Sequence, residues 1–382
     1  MDFKLTEELQ QIRAMVRDFV ENEVEPYAQQ IEEEDAIPSH LVEKAKELGL
    51  FGISIPEKYG GIGLSTVEKA IVLEQLGRTH NGFVSLISAH TGIGSTGLVK
   101  LASEALKEKY LPDMAAGRKI AAFALSEPGA GSDATNLSTR AVKKGDTWIL
   151  NGMKHFITNG PVADVFTVFA MTDKDKGAKG GITAFLVEKN FPGLIVGKTD
   201  KKMGLKGSFT SQIIFEDCEV PDENVIGEVG LGYTSALRIL GEGRVSLAAR
   251  SVGSCDKLIE MSARYAKERI QFGKPIAKNQ GIQWMLAEMA TETEAARALT
   301  YRAAWLVDEG VKAIKEASMA KLFATDVFNK VADKAVQIHG GMGYMAEYPV
   351  ERFYRDARIT KIYEGTNEIQ KLIISQRVLE EC

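Results

Sequence analysis

Cysteine is scarce in this sequence, and the little there is does not pair. Cys218, Cys255 and Cys382 are scattered along 382 positions with no CxxC among them. Neither a disulfide framework nor a thiolate zinc site is expected, and a reducing, cytoplasmic compartment is the default. The five histidines, His40, His80, His90, His155 and His339, show no HExxH or other ligand spacing, so no metal site is expected. No apolar run approaches the roughly 20 residues of a bilayer-crossing helix. The opening MDFKLTEELQ carries charges where a signal peptide needs an apolar core, so a mature, soluble protein is expected from the first residue. Positive charge is not in excess: 47 basic residues against 52 acidic give a net charge of -5. That excludes a global field for nucleic acid or anionic lipid, and any anionic ligand must meet a local basic site. The GxSxG elbow and the P-loop are also missing, which removes the usual markers of hydrolase and NTP chemistry.

What is present is globular. The chain is 45% hydrophobic and 26% charged, and its length suits two or three packed units at about 150 residues each. Proline divides it, because proline is excluded from helix interiors. After Pro221 only Pro275 and Pro349 remain, and Met319, Phe323, Val327, Val331 and Ala335 recur every fourth residue. Residues 231–270, 279–308 and 312–338 are predicted as long helices of a bundle. Between 121 and 229, glycine and proline separate β-branched and aromatic runs at 121–126, 147–150, 165–170, 182–187 and 212–215, predicted strands. The first 120 residues turn helical again, with candidates at 5–24, 41–48, 67–76 and 102–114. The expectation is an α+β chain: a helical domain over 1–120, a β domain over 121–229 and a helical domain over 230–382.

Two stretches match GxGxxG/A, at Gly92–Gly97 and Gly129–Ala134. A dinucleotide fingerprint needs its glycines between a strand and a helix. The first lies inside a helical region and the second leads into more strands, so nicotinamide binding is not expected. The segment Ser126-Glu127-Pro128-Gly129-Ala130-Gly131-Ser132-Asp133 can expose amides and hydroxyls to a polar ring or phosphate, or be a plain β-turn. His155-Phe156-Ile157-Thr158-Asn159-Gly160 can set an aromatic beside a hydroxyl, or simply carry a strand into a turn. Gln337 to Tyr344 is explained locally as a helix C-cap. In Tyr363-Glu364-Gly365-Thr366-Asn367-Glu368, Thr366 or Asn367 can cap the final helix while Glu364 is solvated.

Together, in order and at their spacing, these segments resemble the flavin-dependent acyl-CoA dehydrogenases over nearly the whole chain. The carriers are Phe123 to Asp133, the pair Arg269 and Gln271 within Glu268 to Gly273, Gln337 to Gly341, and Tyr363 to Thr366. The resemblance implies an N-terminal helical domain, a β-barrel-like middle domain and a C-terminal four-helix bundle, assembled as a homotetramer. It implies FAD contacts from Phe123, Leu125, Ser126, Ser132, Phe156, Ile157 and Thr158. Arg269 and Gln271 would reach the FAD of a neighbouring subunit, and Phe272 and Gln280 are further cofactor contacts. Gln337, Gly340 and Gly341 would hold its adenosine diphosphate part, and Thr366, Asn367 and Glu368 would also touch it. Ser132, Arg244, Tyr363 and Gly365 fall on the substrate side.

By the same resemblance, Glu364 removes the α proton of an acyl-CoA thioester while flavin N5 takes the β hydride, and the Glu364 N–H polarises the thioester oxygen. The product is a trans-2-enoyl-CoA, with electrons passed to an electron-transferring flavoprotein in fatty-acid β-oxidation. Some relatives carry the base near the position of Gly243; here that slot is glycine, with Glu242 next to it as a weaker alternative. Phe156 replaces a frequent tryptophan, and Gly241 a frequent aspartate. A short, butyryl-like acyl group is expected, with branched or cyclic groups open. The alternatives are an oxygen-using oxidase of the same fold and a non-catalytic helical scaffold.

Overall fold

The computed structural model describes residues 5–381, so Met1 to Lys4 of the N-terminal segment, and Cys382, lie outside the described residues. Seven helices come first: α1 Glu7–Phe19, α2 Ala28–Glu34, α3 Ser39–Glu47, α4 Thr66–Leu76, α5 Asn81–Ala89, α6 Ser95–Leu101 and α7 Glu104–Ala115. Eight strands follow: β1 Ala121–Ala124, β2 Arg140–Lys144, β3 Thr147–Thr158, β4 Val165–Met171, β5 Ile182–Glu188, β6 Leu194–Thr199, β7 Thr210–Pro221 and β8 Val225–Ile226. The last part is α8 Gly232–Glu268, the hairpin β9 Ile270–Gln271 and β10 Lys274–Pro275, then α9 Gln280–Asp308, α10 Ile314–His339, α11 Val350–Thr360 and α12 Asn367–Glu381.

Local chemistry explains most boundaries. Ser65 and Glu68 form a reciprocal capping box that starts α4, and Ser103 accepts from Leu106 to start α7. The helix predicted over 5–24 ends at Phe19 and passes into a π-helical turn, Val20–Val24, ahead of Pro26. The turn keeps both Val20 and Val24 buried, so packing overrides the regular repeat. A second π-turn, His90–Gly94, joins α5 to α6. The first glycine motif serves packing there: a Cβ on Gly94 would lie 2.8 Å from the Ala89 carbonyl oxygen.

The sheet runs β6-β7-β3-β2-β4-β5-β8, with β1 pairing in parallel with β4. Alternation sorts β4 between two cores. Val165 and Phe169 face α7 and the start of α8, while Phe166, Val168 and Ala170 face a second core shared with Leu150, Phe185 and Phe215. Trp148 of β3 meets Phe185 of β5, ring centroids 5.4 Å apart, although two strands separate them in the sheet. The sheet therefore curls around its own interior. A third core is shared by α1, α4 and α5 with α8, α9, α10 and α11, and α10 packs against all of α8, α9, α11 and α12. None of the helices among the described residues is long and apolar enough to cross a membrane.

Candidate active site

A cavity of about 2070 Å³ lies where the sheet meets both sets of helices. Its size exceeds the roughly 300–1,000 Å³ of a single small-ligand site and suits two extended ligands. Phe123, Leu125, Ser126, Ser132, Phe156, Ile157, Thr158, Arg244, Tyr363, Glu364, Gly365 and Thr366 all line it.

One wall is built by the ends of β1 and β3. The second glycine motif closes as a tight turn in which Glu127 and Ala130 exchange backbone hydrogen bonds of 2.9 and 3.1 Å. His155 N–H donates to the Ser126 carbonyl (2.9 Å), tying the turn to β3. The β3–β7 register then slips between Lys154 and Ile157, and Phe156 takes a left-handed φ of 59°. The bulge turns the Phe156 ring out, 66% exposed and stacked on His155 at 3.9 Å. An exposed flat face held by strained backbone makes Phe156 a candidate ligand surface. Beside the hydroxyls of Ser126 and Thr158, it fits a planar, polar-edged ring system such as an isoalloxazine.

Sequence analysis missed what holds this wall in place. Lys154 is buried in the sheet interior and donates to the buried Glu127 carboxylate (2.7 Å) and the Leu125 carbonyl (3.1 Å). Glu127 also accepts from Ser138 N–H (2.6 Å) and Thr139 N–H (3.0 Å). Burial pushes the carboxyl's proton affinity up, but the Lys154 charge and these donors outweigh it and hold Glu127 at about 2. The signal was an acid between hydroxyls and a lysine in a β-strand, neither distinctive alone.

The opposite wall carries Glu364, between α11 and α12. Its φ is 55° and that of Gly365 is 89°, two consecutive left-handed residues that break the chain sharply. Below them, Lys321 of α10 donates to the Gly365 carbonyl (2.9 Å) and to Asn367 Oδ1 (2.8 Å). Asn367 Nδ2 donates to Asp326 (3.0 Å). Asn367 is thus buried scaffold away from the cavity, and Glu368 is exposed to solvent. Thr366 caps α12 by accepting from Ile369 N–H (3.3 Å) while still lining the cavity.

Glu364 is half-buried as a residue, yet its Oε2 is sealed from solvent with no hydrogen-bond partner. Burial pushes its pKa above the ordinary 4.5, opposed by the charges of Arg250, Lys321 and Arg244. A carboxylate with one oxygen sealed from water and unpartnered holds its proton more tightly, as a general base requires. Gly243 makes the room: a Cβ there would sit 2.5 Å from Glu364 Oε2. Glu242 also lines the cavity, but it is salt-bridged to Lys100 and, at 3.8 Å, to Lys69. Those partners make it a fixed counter-ion and not a free base.

The other expected cofactor residues gather elsewhere. Arg269, Gln271, Phe272, Gln280, Gln337, Gly340 and Gly341 are all exposed at the far end of the bundle, where α8 and α10 finish and α9 begins. Tyr265 stacks on His339 there, at 4.3 Å. From Lys321, next to Glu364, to His339 the helix rises roughly 27 Å, so the two groups cannot meet within one chain. Among the described residues no group of His, Cys, Asp and Glu side chains could hold a metal ion.

Three domain families match along the chain: the N-terminal domain of acyl-CoA dehydrogenase over residues 6–118, the middle domain over 122–218 and the C-terminal domain over 230–379. A buried carboxylate facing a cavity between a curled sheet and a helical bundle is thus set in the fold of an oxidoreductase, and the chain belongs to the acyl-CoA dehydrogenase family. It is 48% identical to an acyl-CoA dehydrogenase of Bacillus subtilis, over 98% of this chain and 99% of that one. Among solved structures it is similar to butyryl-CoA dehydrogenase from Megasphaera elsdenii, with a TM-score of 0.96 and 41% identity, covering 99% and 100% of the two chains. It is also similar to a chain solved in work on the electron transferring flavoprotein of Acidaminococcus fermentans and flavin-based electron bifurcation: TM-score 0.97, 44% identity, 99% and 100% covered.

Proposed function

We propose that this protein is an FAD-dependent acyl-CoA dehydrogenase that converts an acyl-CoA thioester to the trans-2-enoyl-CoA and passes the electrons to an electron-transferring flavoprotein. The observation that carries this reading is the partnerless Glu364 carboxylate facing the cavity across from the exposed Phe156 wall. Leu125, Ser126, Phe156, Ile157 and Thr158 would hold the flavin ring. FAD, when bound, supplies the acceptor for the hydride leaving Cβ. Glu364 takes the proton from Cα, and its desolvation keeps its basicity high. Ser132 and Arg244 fall on the acyl-CoA side, and Arg244 is buried with one donor, Nε, unpaired.

The far end of the bundle supports a homotetramer in which each FAD is shared between subunits. Ile270, Phe272, Trp284 and Tyr344 are exposed apolar side chains there, a surface suited to a second copy, beside the donors of Arg269 and Gln271. The domain limits 1–120, 121–229 and 230–382 belong to the same reading. So does a role in β-oxidation in the cytoplasm, supported by the free, buried thiols of Cys218 and Cys255.

Anaerobic titration of the yellow holoenzyme with acyl-CoAs, followed at the flavin band, tests the reading. Bleaching in wild type and its loss by about 10²- to 10⁴-fold in Glu364→Gln, with FAD retained, is expected. Near-normal bleaching in the variant reassigns the base. A colourless protein that FAD cannot reconstitute favours the scaffold, and rapid oxygen uptake favours an oxidase.

A further inference from the structure

Arg250 is a buried cation whose only part so far is its charge on Glu364. It sits in the small and apolar run Val245 to Gly253 of α8, and it is only 5% exposed. Its guanidinium donates to Ser88 Oγ of α5 (2.8 Å) and to the Tyr363 hydroxyl, and it lies over the Tyr363 ring at 5.3 Å. Both hydrogen-bond partners are neutral, and among the described residues Arg250 forms no salt bridge. Of five N–H donors, these two contacts leave the rest without an anionic partner. The one carboxylate whose charge it feels, Glu364, makes no ion pair with it, so the guanidinium edge that faces the cavity is open to a bound anion.

Its position says which anion. Arg250, Ser88, Tyr363 and Glu364 line the same cavity. Gly243, whose missing side chain accommodates the Glu364 carboxylate, precedes Arg250 by seven residues, two turns along one face of α8 and roughly 10 Å away. Helical side chains lean toward the N-terminus, so Arg250 leans back toward Glu364 without touching it. An acyl chain whose α carbon lies at Glu364 and whose thioester leads out toward the CoA side runs its other end toward Arg250.

Resting on the dehydrogenase reading above, we propose that Arg250 is a specificity-determining residue that selects acyl groups ending in a carboxylate, the monothioesters of short dicarboxylic acids. Ser88 and Tyr363 orient the guanidinium, leaving its free edge to the incoming carboxylate. The alternative is that Arg250 only balances the Glu364 charge, in which case it would affect every acyl-CoA alike.

The test uses FAD-loaded enzyme and chain-matched pairs: succinyl- against butyryl-CoA, glutaryl- against pentanoyl-CoA, and adipyl- against hexanoyl-CoA. Anaerobic flavin bleaching gives kcat/KM, and calorimetry on the Glu364→Gln holoenzyme gives Kd without turnover. At least one dicarboxylic member should exceed its partner by about 10-fold or more in both measures. Arg250→Gln should shift that ratio by at least the same factor toward the unsubstituted chain, with Arg250→Lys intermediate. Preference for the unsubstituted chain in every pair overturns the proposal. So does an Arg250→Gln variant that slows both members equally. If Arg250→Gln does not fold, the wild-type ratios and Arg250→Lys decide. Failure of every acyl-CoA to bleach the flavin refutes the dehydrogenase reading itself, and is distinct from bleaching with the wrong preference.

Discussion

Adding one methyl group at Gly243 should disable the enzyme without weakening the fold. The Cβ of Gly243→Ala would lie 2.5 Å from Glu364 Oε2 and 2.8 Å from Ile93 Cγ2, where ordinary contacts begin at 3.4 Å. The carboxylate must withdraw by about 1 Å, because the other neighbour is a packed side chain and the helix backbone is fixed. A misplacement of that size can cost about 10²-fold, or roughly 2.7 kcal/mol of barrier. Stability should not fall in step, since alanine is favoured over glycine in a helix by about 1 kcal/mol. Stopped-flow bleaching by a good acyl-CoA, with FAD content and thermal midpoint recorded alongside, separates these effects. Gly281→Ala in α9, where nothing lies within 4 Å of the added Cβ and which is away from the cavity, is the control. If Gly243→Ala bleaches as fast as the control, Glu364 is not held where the geometry puts it.

The rate of flavin reduction should fall on the acid side at a pH above the ordinary 4.5 of a glutamate, because burial raises the Glu364 pKa and only its ionised form accepts a proton. Lys321→Met should move that limb further upward, since it removes one of the cations that favour the carboxylate; a downward move in the pH–rate profile contradicts the assignment. Glu127→Gln leaves Lys154 buried without its counter-charge and should destabilise the protein by about 3–5 kcal/mol in denaturant titrations, with easier FAD loss. In the wild type, the lowered Glu127 pKa gives stability that is present above pH 4.5 and lost as pH falls toward about 2; acid unfolding curves of the two proteins should therefore converge at low pH.

Much of the architecture was legible because long regularities carry it. The predicted helices at 279–308 and 312–338 match α9 and α10 to within two residues. Short or exposed elements were not: β2 reads as charged residues, with one buried position in five, and β6 has none buried. Helix α11 was missed because it carries three arginines, two of them satisfied by contacts distant in sequence. Arg352 pairs with Glu25 and Arg355 with Glu32. At the site, the segments converging on the cavity could be named from their motifs. The residues that hold them could not. Lys154, Lys321 and Arg250 bond to partners 27 to 162 positions away, so no local pattern marks them. Asn367 looks like a cap and is instead part of an internal network with Lys321 and Asp326.

The way the cores are divided has a consequence for how the chain comes off the ribosome. The curled sheet encloses an inner core drawn only from residues 122 to 225, so that core is complete once β8 emerges, although its outer face still waits for α8. Helices α1, α4 and α5 lack even that: their apolar residues belong to a core completed by Val245, Val252 and Val327, more than 150 residues downstream. The earliest-made helices must therefore wait, apolar sides uncovered, until nearly the whole polypeptide has been synthesised, which makes nascent chains truncated before α8 natural clients for chaperones.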